Sequence, residues 1–190
     1  MNTKEKILEV SLKLFSEKGY EGTGMEEIAR SVGIRKASLY SHFSGKKEIF
    51  ETVFNNIIDN YRKFIEKICE RNDKLSVKQR LKKIFRDYVL YNKRDIGMSF
   101  WDRFYYFPPL EFKEYIYKIT LKTGIEFADK LKEIFLEGIK KREIKNNKPD
   151  FLVATFHYAL NGLSLSVSLY DENNLEIEIN KAIDVFLKLI

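Results

Sequence analysis

From Ile7 to Leu187 apolar residues recur at intervals of three and four, the period of a helix with one buried face, and no stretch alternates as a half-buried strand would. Helix breakers are scarce, with 3 prolines and 9 glycines in 190 residues. An all-α protein is therefore predicted, with about nine helices set by the breaks in the period. The first helix is expected over Thr3–Lys18, with Ile7, Leu8, Ser11, Leu14 and Phe15 inward and Gly19 as the left-handed residue that ends it. A short second helix carries Met25, Ile28, Ala29 and Val32. Thr23-x-x-Glu26 reads as its capping box, and Gly33 stops it. A third helix is expected from Arg35 to Phe43, and a long one from Lys46 to Arg71 along Ile49, Val53, Ile57, Tyr61, Ile65 and Ile68. Ser76-x-x-Gln79 caps the next, Pro108-Pro109 punctuate an aromatic run, and further helices are expected over 111–139, from Pro149 onward, and over 175–190.

Several function classes are disfavoured. Cys69 is the single cysteine and no Cys/His cluster exists, so neither a disulfide framework nor structural zinc is expected. The two histidines, His42 and His157, lie far apart, and there is no nucleophile elbow, glycine-rich phosphate loop or paired metal-ligand motif, so neither an enzyme nor a cofactor is expected. The N-terminus mixes charge with apolar residues and does not read as a secretion signal, which favours a cytoplasmic protein. Residues 151–170 carry no acidic or basic side chain except His157. Their six polar residues and the acidic flanks Asp150, Asp171 and Glu172 nevertheless argue for a helix buried on nearly all sides, and against a membrane span.

Net charge is +6, but its distribution says more than its sum. Between Ile28 and Lys47 stand Arg30, Arg35, Lys36, Lys46, Lys47 and His42 with no acid among them, whereas elsewhere the signs are interleaved. If Ile34, Leu39 and Phe43 point inward, Arg35, Lys36, Ser38, Tyr40, Ser41 and His42 are presented outward, a mixture of cations and hydroxyls suited to phosphates and base edges. Gly33 and Ala29 fit the turn and the close packing between two helices of a helix-turn-helix, whose second helix enters the major groove. Arg30 and Lys47 read as plain solvated charges.

The order and spacing of Phe15-Ser16-Glu17-Lys18-Gly19-Tyr20, Met25-Glu26-Glu27-Ile28-Ala29, Val32-Gly33-Ile34, Leu39-Tyr40-Ser41-His42-Phe43 and Lys46-Lys47-Glu48-Ile49-Phe50 resemble the signature of the TetR family of one-component regulators. The resemblance implies a three-helix DNA-binding domain over 1–46 and a helical ligand-binding and dimerisation domain over 47–190. It implies that Arg35 and Lys36 open the recognition helix, that Tyr40 and His42 contact phosphates, and that Lys46 pins a phosphate with the help of its helix dipole. Ser38 and Ser41 lie on the same helix, Ser41 where relatives commonly carry a larger side chain. Gly24 stands where many carry Ser or Thr, leaving Thr23 or a backbone N–H for that contact.

A small-molecule effector is implied as well. Tyr61, Phe64, Phe100, Trp101, Phe104, Tyr105 and Tyr115 are candidate walls of an apolar site, with His157, Asn161 and Arg103 as polar tips, although any one aromatic or histidine there also suits an ordinary core. The uncharged helix and the last one are expected to form a homodimer through Phe156, Ala159, Gly162, Leu163, Ser166, Ile179, Ile183 and Phe186. The small residues of the first permit close approach, and a helix apolar all round needs cover on two sides. Such a dimer would bind a palindromic operator on double-stranded DNA, with the effector moving the aromatic segment and the long helix to separate the recognition helices.

Overall fold

The computed structural model describes residues 2–72, 74–145 and 148–190, and among them every regular element is helical. Nine α-helices follow one another: α1 Thr3–Lys18, α2 Met25–Val32, α3 Lys36–Tyr40, α4 Lys46–Cys69, α5 Val77–Arg94, α6 Ile96–Tyr106, α7 Lys113–Lys140, α8 Pro149–Leu165 and α9 Glu172–Lys188. Two 3₁₀ turns, Leu110–Phe112 and Val167–Leu169, precede α7 and follow α8. The chain divides into two compact units, Met1–Tyr61 with Asp95–Thr120, and Arg62–Arg94 with Leu121–Ile190. The unit that holds α1–α3 thus extends beyond residue 46 and includes α6.

Local chemistry accounts for the helix ends. Asn2 and Glu5 form a reciprocal capping box on α1, and Ser76 and Gln79 do the same ahead of α5, with the Gln79 amide donating to Ser76 Oγ and the Ser76 amide to Gln79 Oε1. The box expected at Thr23 and Glu26 does not form. Gly24 is the N-cap of α2 without a side-chain bond, because the Thr23 hydroxyl turns inward and donates to the Gly19 carbonyl at 2.9 Å. Gly19 has positive φ as expected, but its ψ of 176° is extended and not left-handed helical. Gly33 does adopt the left-handed conformation, φ 84° and ψ 30°, with its amide shared between the Ala29 and Arg30 carbonyls.

The first unit has an aromatic centre. Phe50, fully buried, meets the rings of Phe15, Tyr20, Phe54, Phe100, Phe104 and Phe112 at centroid distances between 4.5 and 6.3 Å. Such pairs contribute about 0.5–1.5 kcal/mol each beyond the area they bury. Arg103 of α6 donates to the Ser16 carbonyl near the end of α1, where a cation also suits the helix dipole.

In the second unit Phe156 of α8 is the corresponding centre, edge-on to Phe85 of α5, Phe135 of α7 and Phe186 of α9. Arg80, almost wholly buried, is paired with Glu137 at 2.7 Å, and the Val77 amide donates to Glu143. The uncharged helix is shorter than expected and ends at Leu165. Nor is it enclosed on all sides: Phe151, Tyr158 and Leu165, seven residues apart, form an exposed apolar seam. Among the described residues no helix is long and apolar enough to cross a membrane.

Candidate nucleic-acid interface

The candidate surface is built on α2 and α3. The acids Glu26 and Glu27 in the first turn of α2 suit its dipole, while Ile28, Ala29 and Val32 anchor it. Gly33 then reverses the chain, and Arg35, extended at φ −72° and ψ 147°, is the N-cap of α3. Within α3 one residue, Leu39, is buried; it fixes the helix, so Lys36, Ser38 and Tyr40 must stand outside. The helix is shorter than the expected Arg35–Phe43, because the His42 amide bonds to Leu39 O in a tighter turn that drives Phe43 into the core.

Arg35, Lys36, Ser38, Tyr40, Ser41 and His42 are all exposed. Neither Arg35 nor Lys36 is held in an ion pair among the described residues, so both cations face solvent. The Ser41 hydroxyl donates to Ser38 O at 2.7 Å, leaving its oxygen as an acceptor. Gly24 is exposed, and its N-cap geometry opens the first-turn amides of α2 to an anion. Thr23 is a correction to the expected set. It is 1% exposed and its hydroxyl proton is committed to Gly19, so its side chain belongs to the turn and not to the interface. Lys46 is half-buried; its ammonium donates to the Tyr20 carbonyl at 2.8 Å and lies 4.2 Å above the Tyr20 ring.

Two contacts escaped the sequence reading. Lys4 of α1 places its ammonium 5.2 Å over the Phe43 ring. Glu48 accepts from both the amide and hydroxyl of Ser44, which holds its carboxyl below the usual range and fixes the loop between α3 and α4. Ser44-x-x-x-Glu48 was a readable signal for the second; the first joins residues far apart in sequence.

The expected effector residues divide between the units. In the first, Phe100 and Phe104 are core side chains packed on Phe50, so their surfaces are already taken up. Trp101 donates from Nε1 to Thr120 and meets Tyr61 edge-on, while Tyr115 bonds to Asn55 and Tyr105 stays partly exposed beside Tyr106 and Tyr117. In the second, Phe64 stacks on Tyr91 at 3.9 Å, and Asn161 joins His157 to the Tyr88 hydroxyl. Burial holds the His157 imidazole below its ordinary 6.5, so it is neutral near pH 7.

The expected dimer set also separates. Phe156, Ile179, Ile183 and Phe186 are at most 3% exposed and fill the second unit's own core, so they are not available to a partner. Ala159, Gly162, Leu163 and Ser166 keep surface, and the exposed apolar side chains are instead Phe151, Tyr158 and Leu165, with Ile177, Val185 and Leu189 in or beside α9.

This geometry defines a helix-turn-helix whose second helix is anchored by Leu39 and presents Arg35, Lys36, Ser38, Tyr40, Ser41 and His42 to solvent. Residues 7–53 match the model of the bacterial regulatory proteins, tetR family. The biofilm operon icaADBC HTH-type negative transcriptional regulator IcaR of Staphylococcus aureus is 58% identical over 48 residues, 25% of this chain and 26% of that protein. The IcaR of Staphylococcus epidermidis is 50% identical over 60 residues, 30% and 32% of the two chains. The match therefore spans about a quarter to a third of these curated relatives. Two solved structures resemble the chain throughout: the TetR family transcriptional regulator PfmR from Thermus thermophilus, with a TM-score of 0.71 and 21% identity over 100% of this chain and 98% of that one, and AibR in complex with isovaleryl coenzyme A and operator DNA, with a TM-score of 0.66 and 20% identity over the same shares. Over residues 7–53 the chain is thus similar to the tetR family of bacterial regulatory proteins, and the chain as a whole shares its fold with solved structures such as PfmR.

Proposed function

We propose that this chain is a cytoplasmic transcriptional repressor that binds a palindromic operator as a homodimer and is released by a small apolar or aromatic effector. The observation that carries the reading is the face of α3, where Arg35, Lys36, Ser38, Tyr40, Ser41 and His42 stand exposed on a helix held by Leu39. α3 enters the major groove; Arg35 and Lys36 reach base edges or phosphates, and Tyr40 and His42 hold the backbone. Lys46 adds a phosphate contact by exchanging the Tyr20 carbonyl for a stronger, charged acceptor. The negative sign of regulation is supported by IcaR, described as a negative regulator. A small-molecule effector is supported by AibR, a protein of this fold seen in complex with isovaleryl coenzyme A and operator DNA.

The dimer is assigned to the surface that the second unit leaves uncovered, Phe151, Tyr158, Gly162 and Leu165 of α8 with Ile177 and Val185 of α9. An apolar seam of this regularity is an interaction surface. A two-fold dimer presents its α3 helices to half-sites about one helical turn apart or slightly more.

The test is selection of genomic fragments with the purified protein, followed by gel shift of the enriched site. The expected result is a palindrome bound by the wild type and lost by the double variant Lys36→Ala, Tyr40→Ala while that variant remains folded and dimeric. An enriched site bound equally by the double variant would overturn the assignment of α3.

A further inference from the structure

Inside the second unit five polar side chains, none carrying a formal charge, are gathered between α5 and α8. The pairs Phe85–Phe156 and Tyr88–Asn161 advance together along α5 and α8, and Lys93 near the end of α5 reaches the Val167 carbonyl just past α8, which sets Asn92 of α5 near the level of Ser164. On α8, His157, Asn161 and Ser164 occupy positions i, i+4 and i+7, one face of the helix. Tyr88 donates to Asn161 Oδ1, and the Asn161 amide lies 3.4 Å from His157 Nε2. Asn92 is 8% exposed and Ser164 is 9% exposed.

Ser164 is the anomaly. Among the described residues its hydroxyl is one of two buried side-chain polar groups without a hydrogen-bond partner. The other, Ser11 of α1, sits on an apolar face with Ile7, Leu14 and Phe15 and has no polar neighbour in its row. Ser164 instead continues a polar row, so its unmet hydroxyl lies where a ligand group bonded to Asn161 would reach it. The row is half-open at its His157 end, where Phe127 supplies an aromatic wall at 5.7 Å. The nearby cation, Lys93, is engaged by the carbonyls of Val167 and Tyr170.

We propose that Tyr88, Asn92, His157, Asn161 and Ser164 form the head-group end of the effector site, and that they select an uncharged hydrogen-bonding ligand, a carboxamide or alcohol on an apolar body, against carboxylates and phosphates. Neutral amides and hydroxyls replace the water of a neutral head group, whereas a buried anion would lack a direct cationic partner, the Lys93 ammonium being turned to the Val167 and Tyr170 carbonyls. The inference rests on the reading of the chain as an effector-responsive regulator and narrows the chemistry of that effector. It sets this chain apart from AibR, whose ligand in its solved complex is an acyl coenzyme A.

The experiment is calorimetric titration of the full-length protein with three probes of one shape, 2-naphthamide, 2-naphthol and 2-naphthoate. At least one of the neutral probes is expected to bind the wild type, with the carboxylate about tenfold weaker or absent. Ser164→Ala and Asn161→Leu are each expected to weaken the neutral probe about tenfold. Ser164→Ala removes the orphan hydroxyl and is expected to melt no lower than the wild type, so its loss of binding cannot be blamed on misfolding. Equal or tighter binding of 2-naphthoate, binding of neither neutral probe, or indifference to both substitutions would overturn the proposal. Operator binding by the wild type is read separately; if it holds while the probes fail, the head-group assignment falls and the regulator reading stands.

Discussion

Gly33 is the residue on which the helix-turn-helix depends most directly. Its φ of 84° is left-handed, and nothing lies within 4 Å of where a Cβ would stand. A substitution there meets a backbone cost and no clash. Gly33→Ala is expected to destabilise the protein by about 1 kcal/mol, and Gly33→Asn by less, as read by urea unfolding. Equal stability of the alanine variant would show that the turn relaxes to another conformation. Thr23 acts nearby through its hydroxyl, so Thr23→Val, which keeps the shape and orphans the Gly19 carbonyl, is expected to cost about 1–2 kcal/mol of stability while operator affinity of the folded protein stays unchanged. His157 gives a pH signature. Its folded-state pKa lies below the ordinary 6.5, so the unfolded chain binds its proton first as pH falls, and this group's contribution to stability is present above pH 6.5 and is lost below it. In His157→Gln the decline of unfolding free energy just below pH 6.5 is expected to be shallower than in the wild type.

Among the elements, α8 and α9 show where sequence reasoning succeeds and where it stops. Their existence and approximate extent were legible from three- and four-residue spacing, as was the start of α8 at Pro149. Which apolar face turns inward was not. Phe156, Ile179, Ile183 and Phe186 belong to the same period as Phe151, Tyr158 and Ile177, and only the positions of α5 and α7 decide that the first group is enclosed and the second left bare. The opposite holds for α3, where three inward residues within a short segment and a run of cations left one arrangement available. Capping also divides along this line: Ser76 and Gln79 bond as their spacing predicts, whereas Thr23 is drawn off by a carbonyl that no local pattern advertises. The two faces of α8 should respond differently to mutation. Tyr158→Arg is expected to yield a folded monomer in sedimentation analysis, whereas Phe156→Ala is expected to lose about 3–5 kcal/mol of stability through the cavity it leaves. A dimeric Tyr158→Arg would place the partner elsewhere.

For the molecule as a whole, the charge distribution matters more than its total. The sequence has one segment, 28–47, that carries Arg30, Arg35, Lys36, Lys46 and Lys47 and no acid. Structure adds that among the described residues neither Arg35 nor Lys36 is held in an ion pair, whereas cations elsewhere do meet acids, as in Arg86 with Glu176 and Arg62 with Glu126. Operator affinity should therefore fall steeply with salt, and Lys36→Ala should reduce the slope of log K against log salt by about 1 for each protomer bound. An unchanged slope with unchanged affinity would remove Lys36 from the phosphate contacts. The exposed face of α3, proposed to read DNA, was thus legible in the sequence itself. The candidate effector residues were less so, because an aromatic in a run serves equally as core or wall, and burial alone separates Phe100 and Phe104 from Tyr105.

The protein's sole tryptophan, Trp101, lies in the same unit as the helix-turn-helix, buried, with its indole nitrogen bonded to Thr120 and its ring edge against Tyr61. It is a built-in optical probe of that unit alone. Its emission lies toward the blue while the unit is intact and shifts to the red as water reaches the ring, whereas circular dichroism sums helices from both units. Overlaying the two signals through a single denaturation separates cooperative collapse of the whole chain from an early loss of either half.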